Sequence, residues 1–116
     1  MPPEAAKRLW DAAVACRRIE TFVEGKSQDE FAASELLRAA VERQLEIVGE
    51  ALNKACSAWP QLAFEVPEIP RIVGLRNRLI HGYDRVDDEL VWDIVVTKIS
   101  PLRHRLEAMQ TSPGPR

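Results

Sequence analysis

The stretch AVERQLEIVGEALNKA, residues 40–55, decides how this chain is expected to fold. Its apolar residues recur three and four positions apart, a spacing that places side chains on one face of an α-helix. The resulting seam consists of Val41, Leu45, Val48, Leu52 and Ala55. A long helix with such a seam packs against an antiparallel neighbour. Gly49 interrupts the helix and costs about 1 kcal/mol relative to alanine, so we expect another helix to approach closely there.

The sequence before this stretch predicts how the helix begins and what precedes it. Ser27 and Glu30 have the spacing of a capping box, so the helix is predicted over residues 28–57. A first helix is predicted over residues 4–23, because its apolar residues also recur at helical spacing and prolines precede it. Gly25 is expected to close that first helix.

The sequence after this stretch predicts two more helices. Residues 58–70 contain three prolines and are predicted to form a loop with at most one short helical turn. A third helix is predicted over residues 71–80, with Gly82 as its left-handed stop residue. Acidic residues at 87–89 favour the start of a fourth helix, which Pro101 should kink or interrupt. The expected fold is therefore all-α, an up-and-down bundle of four to five helices.

Length and composition bound the class of protein. The chain has 116 residues, which suits one domain, predicted over residues 1–110 with a disordered tail at 111–116. The formal net charge is −2, which argues against a long groove that binds nucleic acid regardless of sequence. The charged N-terminus is unlike a signal peptide and no stretch has the length and apolarity of a membrane span. We therefore expect a cytoplasmic protein without membrane contact.

The two cysteines are expected to be small buried residues rather than a disulfide. Cys16 and Cys56 lie 40 residues apart, with no Cys-x-x-Cys motif and no histidine at zinc-binding spacing. In a reducing compartment such isolated thiols stay reduced.

The stretch GLRNRLIHGYDRVDD, residues 74–88, carries the residues with distinctive chemistry. Four arginines lie within residues 71–85, and an arginine fork can hold two phosphate oxygens at once. His81 can exchange a proton near neutral pH, and Tyr83 offers a ring and a hydroxyl. Two readings follow from the residues alone. The group is either a charged helix end that complements the helix dipole, or a site that acts on a phosphate.

The spacing of these residues restricts how they can meet. Residues advance by about 100° on a helix, so Arg76 and His81 point about 140° apart, whereas Asn77 and His81 share a face. Arg76 and His81 converge only if the helix end unwinds at residues 81–82, or if a second copy of the chain completes the site. The spacing therefore motivates a homodimer.

Other catalytic motifs are missing from the sequence. There is no Gly-x-Ser-x-Gly, no P-loop and no His-Glu-x-x-His. Asp87 and Asp88 look like helix-start residues with no second acidic cluster, so we expect chemistry without a metal or cofactor. His104 has no comparable company and is predicted to be a surface residue.

The stretch RNRLIHGY, residues 76–83, resembles the Arg-x4-His-x-Tyr signature of the HEPN superfamily, and in particular its HepT-like toxin branch. Residues 40–55 and 67–95 also resemble that branch, so the similarity spans most of the chain. One departure is visible, because members of the branch commonly carry Trp after the Ile-Pro pair and this chain has Arg71.

The resemblance implies an RNase toxin of a type VII toxin–antitoxin pair that works as a homodimer. It implies that Arg76 and His81 are catalytic and that the partner is MntA, a minimal nucleotidyltransferase. Tyr83 is similar to the tyrosine that this antitoxin modifies with AMP. Asn77 and Arg78 are expected to support the site and contact RNA.

Two alternatives to catalysis stay open at this point. Some HEPN domains serve as non-catalytic nucleotide- or partner-binding subunits beside a nucleotidyltransferase, and such a role needs no titrating histidine. A purely structural helical protein is the third reading. The intact Arg-x4-His pair favours the enzyme.

Overall fold

Helices account for almost all of the structure. The computed structural model describes residues 1–81 and 87–111, without the side chains of His81 and Thr111. These residues form seven α-helices and one π-helical turn and contain no β-strand, which confirms the all-α class. The elements are α1 (Pro3–Val23), α2 (Gln28–Ala33), α3 (Glu35–Ala58), α4 (Leu62–Glu65), α5 (Ile69–His81), α6 (Asp88–Ile94), the π turn (Val95–Ile99) and α7 (Ser100–Thr111).

Helix α3, which contains the seam, lies between two long neighbours. It packs against α1 on one side and α5 on another, and α1 in turn packs against α7. All five seam residues are buried: Val41, Leu45, Val48, Leu52 and Ala55. Burying a Val or Leu side chain stabilises the folded state by about 1.5–3 kcal/mol. The seam therefore contributes strongly to the packing of α3 against its neighbours.

The prediction of one helix over residues 28–57 was wrong, because the chain breaks at Ser34. That residue is extended, with φ −106° and ψ 105°, and its hydroxyl accepts a hydrogen bond from the backbone N–H of Leu37 at 3.0 Å. The break lets α2 pack against α6, where the buried ring of Phe31 lies 5.3 Å from the ring of Trp92. The capping box of Ser27 and Glu30 is confirmed at the start of α2.

The first helix and the proline-rich segment follow their predictions closely. Helix α1 ends at Val23, and Gly25 has the positive φ of 72° that a glycine stop requires. The segment over residues 58–70 contains the short helix α4. Helix α5 begins two residues earlier than predicted and extends through His81. The predicted stop at Gly82 lies outside the described residues.

The predicted fourth helix is interrupted near Pro101, as expected. Asp87 caps α6 by accepting a hydrogen bond from the backbone N–H of Glu89 at 2.8 Å. Pro101 is the second residue of α7, and the π turn directly precedes that helix. Proline has no N–H and its ring crowds the preceding turn, which explains why the regular hydrogen-bond ladder changes there. Thr111 ends α7, and residues 112–116 of the predicted tail lie outside the described residues.

Both cysteines are free thiols, as predicted. Burial raises the pKa of the Cys16 thiol to about 12, whereas Cys56 is only partly buried and its pKa is raised less. Among the described helices, none combines the length and the apolar character needed to cross a membrane.

Candidate functional site

Arg76 lies where α5 crosses closest to α3. A Cβ atom added to Gly49 would come 2.7 Å from Cγ of Arg76 and closer still to its Cβ, and 3.4 Å from the carbonyl oxygen of Ile72. The aliphatic stem of Arg76 therefore fills the space that a side chain at residue 49 would need. This close approach confirms the role expected for Gly49 and fixes where the Arg76 guanidinium emerges.

The guanidinium of Arg76 is held by two oxygen acceptors. Its Nη2 atom donates to a carboxylate oxygen of Glu50, and its Nη1 atom donates to Oδ1 of Asn77 at 2.8 Å. The side chain is only 20% exposed, and its Nε atom is buried without a hydrogen-bond partner among the described residues. Arg76 is thus positioned by its neighbours while part of its donor capacity stays unused.

Glu50 is the residue at this site that the sequence did not indicate. Its carboxylate also lies 3.3 Å from the Nζ atom of Lys54. The hydrogen bond from Lys54, and then the charge of Arg76, hold the pKa of Glu50 below its ordinary value. Glu50 is therefore ionised at neutral pH. The i,i+4 spacing of Glu50 and Lys54 is visible in the sequence, but the contact with Arg76, 26 positions away, is tertiary.

His81 is the last residue of α5, and only its backbone is described. Because His81 is helical, unwinding of α5 would begin no earlier than residue 82. Positions 76 and 81 of this regular helix are therefore about 140° apart around its axis. Asn77 lies four residues before His81, and its amide is already engaged with Arg76. Tyr83 lies outside the described residues.

The arginines of residues 71–85 differ in whether an acidic side chain compensates their charge. Arg71 pairs with Asp93 of α6, at 3.4 Å, so one of the four predicted positive charges is compensated. Arg78 is exposed and forms no ion pair within the described part of the chain. Arg85 lies outside the described residues. Among the described residues of α5, the uncompensated positive charge is therefore that of Arg78, which lies about 200° around the helix from the partly compensated Arg76.

A groove opens beside the Glu50–Arg76 pair. It has a volume of about 550 Å³ and is lined by residues of α1 and α3 together with Ile80 of α5. Glu50 belongs to both the groove wall and the ion pair, so the groove reaches the carboxylate that binds Arg76. Ile80 directly precedes His81.

Two further observations concern histidine and acidic residues outside this site. His104 is exposed on α7, which confirms that it is a surface residue. Within residues 1–81 and 87–111, no group of three or more His, Cys, Asp and Glu residues is arranged to hold a metal ion.

Comparison with known protein families identifies the chain's relatives. The family model described as "Ribonuclease HepT-like" matches residues 12–109, which include Arg76, His81 and Tyr83. The chain belongs to the HepT-like ribonuclease family. Its all-helical fold is consistent with that family and with the wider HEPN superfamily.

Individual relatives of this HepT-like chain carry RNase names. It is 33% identical over 104 residues to "Probable ribonuclease HepT" of Thermococcus cleftensis, covering 88% of this chain and 92% of the relative. It is 32% identical over 101 residues to "Putative RNase MJ1380" of Methanocaldococcus jannaschii, covering 85% and 90%. No solved structure gives a significant match.

Proposed function

We propose that this HepT-like chain is a metal-independent endoribonuclease and the toxin of a toxin–antitoxin pair. The observation that carries the proposal is the placement of Arg76. Its guanidinium is held at the α3–α5 contact, on the same helix as His81, in a chain whose relatives are named as RNases. Phosphodiester cleavage without a metal needs a group that transfers protons and a cation that stabilises the phosphate charge, and His81 and Arg76 are of the types that supply them.

The proposed reaction is transfer within the RNA strand. The 2′-oxygen attacks the adjacent phosphorus, the bond from phosphorus to the 5′-oxygen breaks, and the products are a 2′,3′-cyclic phosphate and a 5′-hydroxyl. His81 takes the proton of the 2′-hydroxyl, or gives a proton to the leaving 5′-oxygen. Arg76 stabilises the charge that builds on the non-bridging oxygens, with Asn77 and Arg78 assisting.

A homodimer completes this site in the proposal. Because positions 76 and 81 are about 140° apart around one helix, a single copy of α5 is not expected to direct both residues at one phosphate. A second copy that meets α5 across a twofold axis supplies the missing group. RNA is the substrate, and a single strand fits best because its nucleotides can bend into in-line geometry.

Regulation is proposed to act through Tyr83. A nucleotidyltransferase antitoxin of the MntA type would transfer AMP to the tyrosine hydroxyl, two residues after His81. The adduct brings bulk and a negative phosphate to a site that must accept another phosphate, so it repels RNA. The proposed setting is the cytoplasm, where both the partner and RNA are present.

The test is RNA cleavage by the purified protein in EDTA. We expect cleavage with cyclic-phosphate ends, and its loss in Arg76→Ala and His81→Ala. Arg103→Ala and His104→Ala serve as matched controls, because they remove an arginine and a histidine from another face. Unchanged cleavage by Arg76→Ala and His81→Ala would refute the assignment of the site.

A non-catalytic phosphate-binding subunit is the second candidate. The positioned guanidinium of Arg76 supports this role as well, because it can hold a phosphate without any proton transfer. In that case wild-type protein binds nucleotide or the nucleotidyltransferase without cutting RNA, whether or not the partner is present.

A further inference from the structure

We propose that the groove between α1, α3 and the end of α5 binds unpaired nucleotides of a single-stranded RNA, with Trp10 as the stacking surface. This inference rests on the proposed function, because it assigns the RNA strand a path to the Arg76 site.

Exposed apolar side chains mark the groove. Trp10 of α1 is 62% exposed and Ile80 of α5 is 46% exposed, and both line it. An indole that folding leaves open to water can take the flat face of a base, which stacks on it regardless of sequence. The volume of about 550 Å³ is on the scale of small-molecule sites, so a nucleotide fits.

The carboxylates of the groove are already compensated. Asp11 lies 3.5 Å from Lys7, Glu46 lies 3.4 Å from Arg43, and Glu50 is paired with Lys54 and Arg76. They therefore repel a bound RNA strand less than three unpaired carboxylates would.

Two arginines of the groove have no such compensation. Neither Arg8 nor Arg18 forms an ion pair within residues 1–81 and 87–111, and the Nε atom of Arg8 is buried without a hydrogen-bond partner. Arg8 and Arg18 thus line the same groove as the exposed indole of Trp10, without an ion pair to another described residue. That combination is how single-strand binding sites hold a phosphate backbone and its bases.

The position of the groove links it to the proposed chemistry. Its wall includes Glu50, the carboxylate that holds Arg76, and Ile80, the neighbour of His81. A strand whose base stacks on Trp10 therefore continues toward the phosphate-binding guanidinium. The groove would then fix which nucleotide lies next to the cleaved bond.

A second copy of the chain fits this groove less well than RNA does. A twofold contact places the same patch against itself, which would bring Arg8 and Arg18 of both copies into one interface. The buried cores of protein interfaces are depleted of charged residues for this reason. The proposed homodimer accordingly uses another face of α5.

The experiment measures binding separately from cleavage. The probe is a fluorescein-labelled 2′-O-methyl oligoribonucleotide of about eight nucleotides, which cannot be cut through its 2′-oxygen. In anisotropy titrations of the full chain, we expect Trp10→Ala to raise Kd by about 5- to 100-fold. Trp10→Phe should restore most of the affinity. Phe64→Ala removes an exposed aromatic from α4, outside the groove, and should leave Kd unchanged.

A second readout tests the arginines. For single strands each phosphate contact contributes about 0.7 to the slope of log K against log salt, so Arg18→Ala should lower the slope by that amount. Lys26→Ala removes an exposed cation that does not line the groove and should leave the slope unchanged.

The outcomes separate this inference from the proposed function. Probe binding that Trp10→Ala abolishes, in a protein that cuts no RNA, supports the groove and overturns the nuclease. RNA cleavage with unchanged Kd and KM in Trp10→Ala supports the nuclease and overturns the groove. Conversion of a dimer to a monomer by Trp10→Ala shows that a second copy occupies the groove and overturns the inference as well.

Discussion

Two arginines of this bundle have nearly the same surroundings but are expected to have different functions. Arg76 on α5 and Arg103 on α7 each cross to a neighbouring helix and bind a glutamate, with side chains 20% and 15% exposed. Each also has a histidine nearby in sequence, because His81 ends the helix of Arg76 and His104 directly follows Arg103.

The two guanidinium groups differ in how many of their nitrogen atoms donate hydrogen bonds to carboxylates. Arg103 donates from Nε and Nη2 to the carboxylate of Glu20, and from Nη1 to Glu107 at 2.9 Å. Hydrogen bonding to Glu20 raises the pKa of Arg103 further. Arg76 has one carboxylate and one neutral amide, and its Nε atom has no partner among the described residues. The guanidinium of Arg103, enclosed by two carboxylates, joins helices. In Arg76 the buried Nε is out of reach, so a phosphate would bind the second N–H groups of Nη1 and Nη2, which Asn77 and Glu50 do not use.

The largest expected effect separates the two arginines by activity. Arg76→Lys keeps the charge but loses the fork, so we expect RNA cleavage to fall by about 10²- to 10³-fold. Arg103→Lys should leave the cleavage rate within a factor of about two, since by this reading it only joins helices. Initial rates on a fluorescent RNA measure both. Equal losses in the two variants would show that Arg76 is structural.

The next effect tests the close approach that positions Arg76. Gly49→Ala introduces a Cβ that overlaps Arg76, so we expect the free energy of unfolding to fall by about 1–3 kcal/mol and cleavage to drop with it. Gly74→Ala is the matched control on α5, because nothing lies within 4 Å of its added Cβ. It should stabilise the protein by up to about 1 kcal/mol. Urea denaturation of both variants decides the matter, and a stabilised Gly49→Ala would contradict the tight contact.

A smaller effect concerns the ion pairs of Arg103 on α7 with Glu20 and Glu107. Arg103→Ala leaves Glu20 and Glu107 without this partner, and we expect a loss of about 1 kcal/mol in unfolding free energy, because solvent screens part of the interaction. The loss should shrink in high salt, and cleavage should persist. Denaturation at low and high salt measures it; a salt-independent loss would indicate packing of the arginine stem instead.

The smallest expected effect is the pH dependence of Glu50. Its pKa is lowered in the folded protein, so its stabilising contribution is present above the ordinary value of 4.5 and is lost as pH falls through the lowered pKa. The stability difference between wild type and Glu50→Gln should therefore be constant near neutral pH and disappear in acid. A difference that persists at the acid end would argue against an ionised Glu50.

The sequence predicted the parts of this molecule that depend on local periodicity. The seam on α3, the role of Gly49, the capping box at Ser27 and the interruption near Pro101 all follow from residues close together in the chain. The break at Ser34 was missed because good helix formers flank it on both sides. The break accompanies the packing of α2 against α6, where Phe31 meets Trp92, and no local pattern indicates that distant contact.

The candidate site also has one part that the local sequence predicted and another that depends on tertiary contacts. The motif indicated Arg76, and the structure places it at a close helix contact. The engagement of Arg76 by Glu50 and of Arg71 by Asp93 joins residues far apart in sequence, so no local pattern revealed either pair. The side chain of His81 and all of Tyr83 lie outside the described residues, and their roles stay predictions.

Because a Cβ atom at position 49 would overlap residue 76, substitutions at these two positions of α3 and α5 are not independent. Any side chain at position 49 meets the Cβ and Cγ atoms of residue 76, so truncating Arg76 to alanine would not fully clear the space. A lineage that loses this glycine must shift α5 and carry the guanidinium away from Glu50. Any constraint on where the Arg76 guanidinium lies is therefore also a constraint on residue 49, which has no functional group of its own.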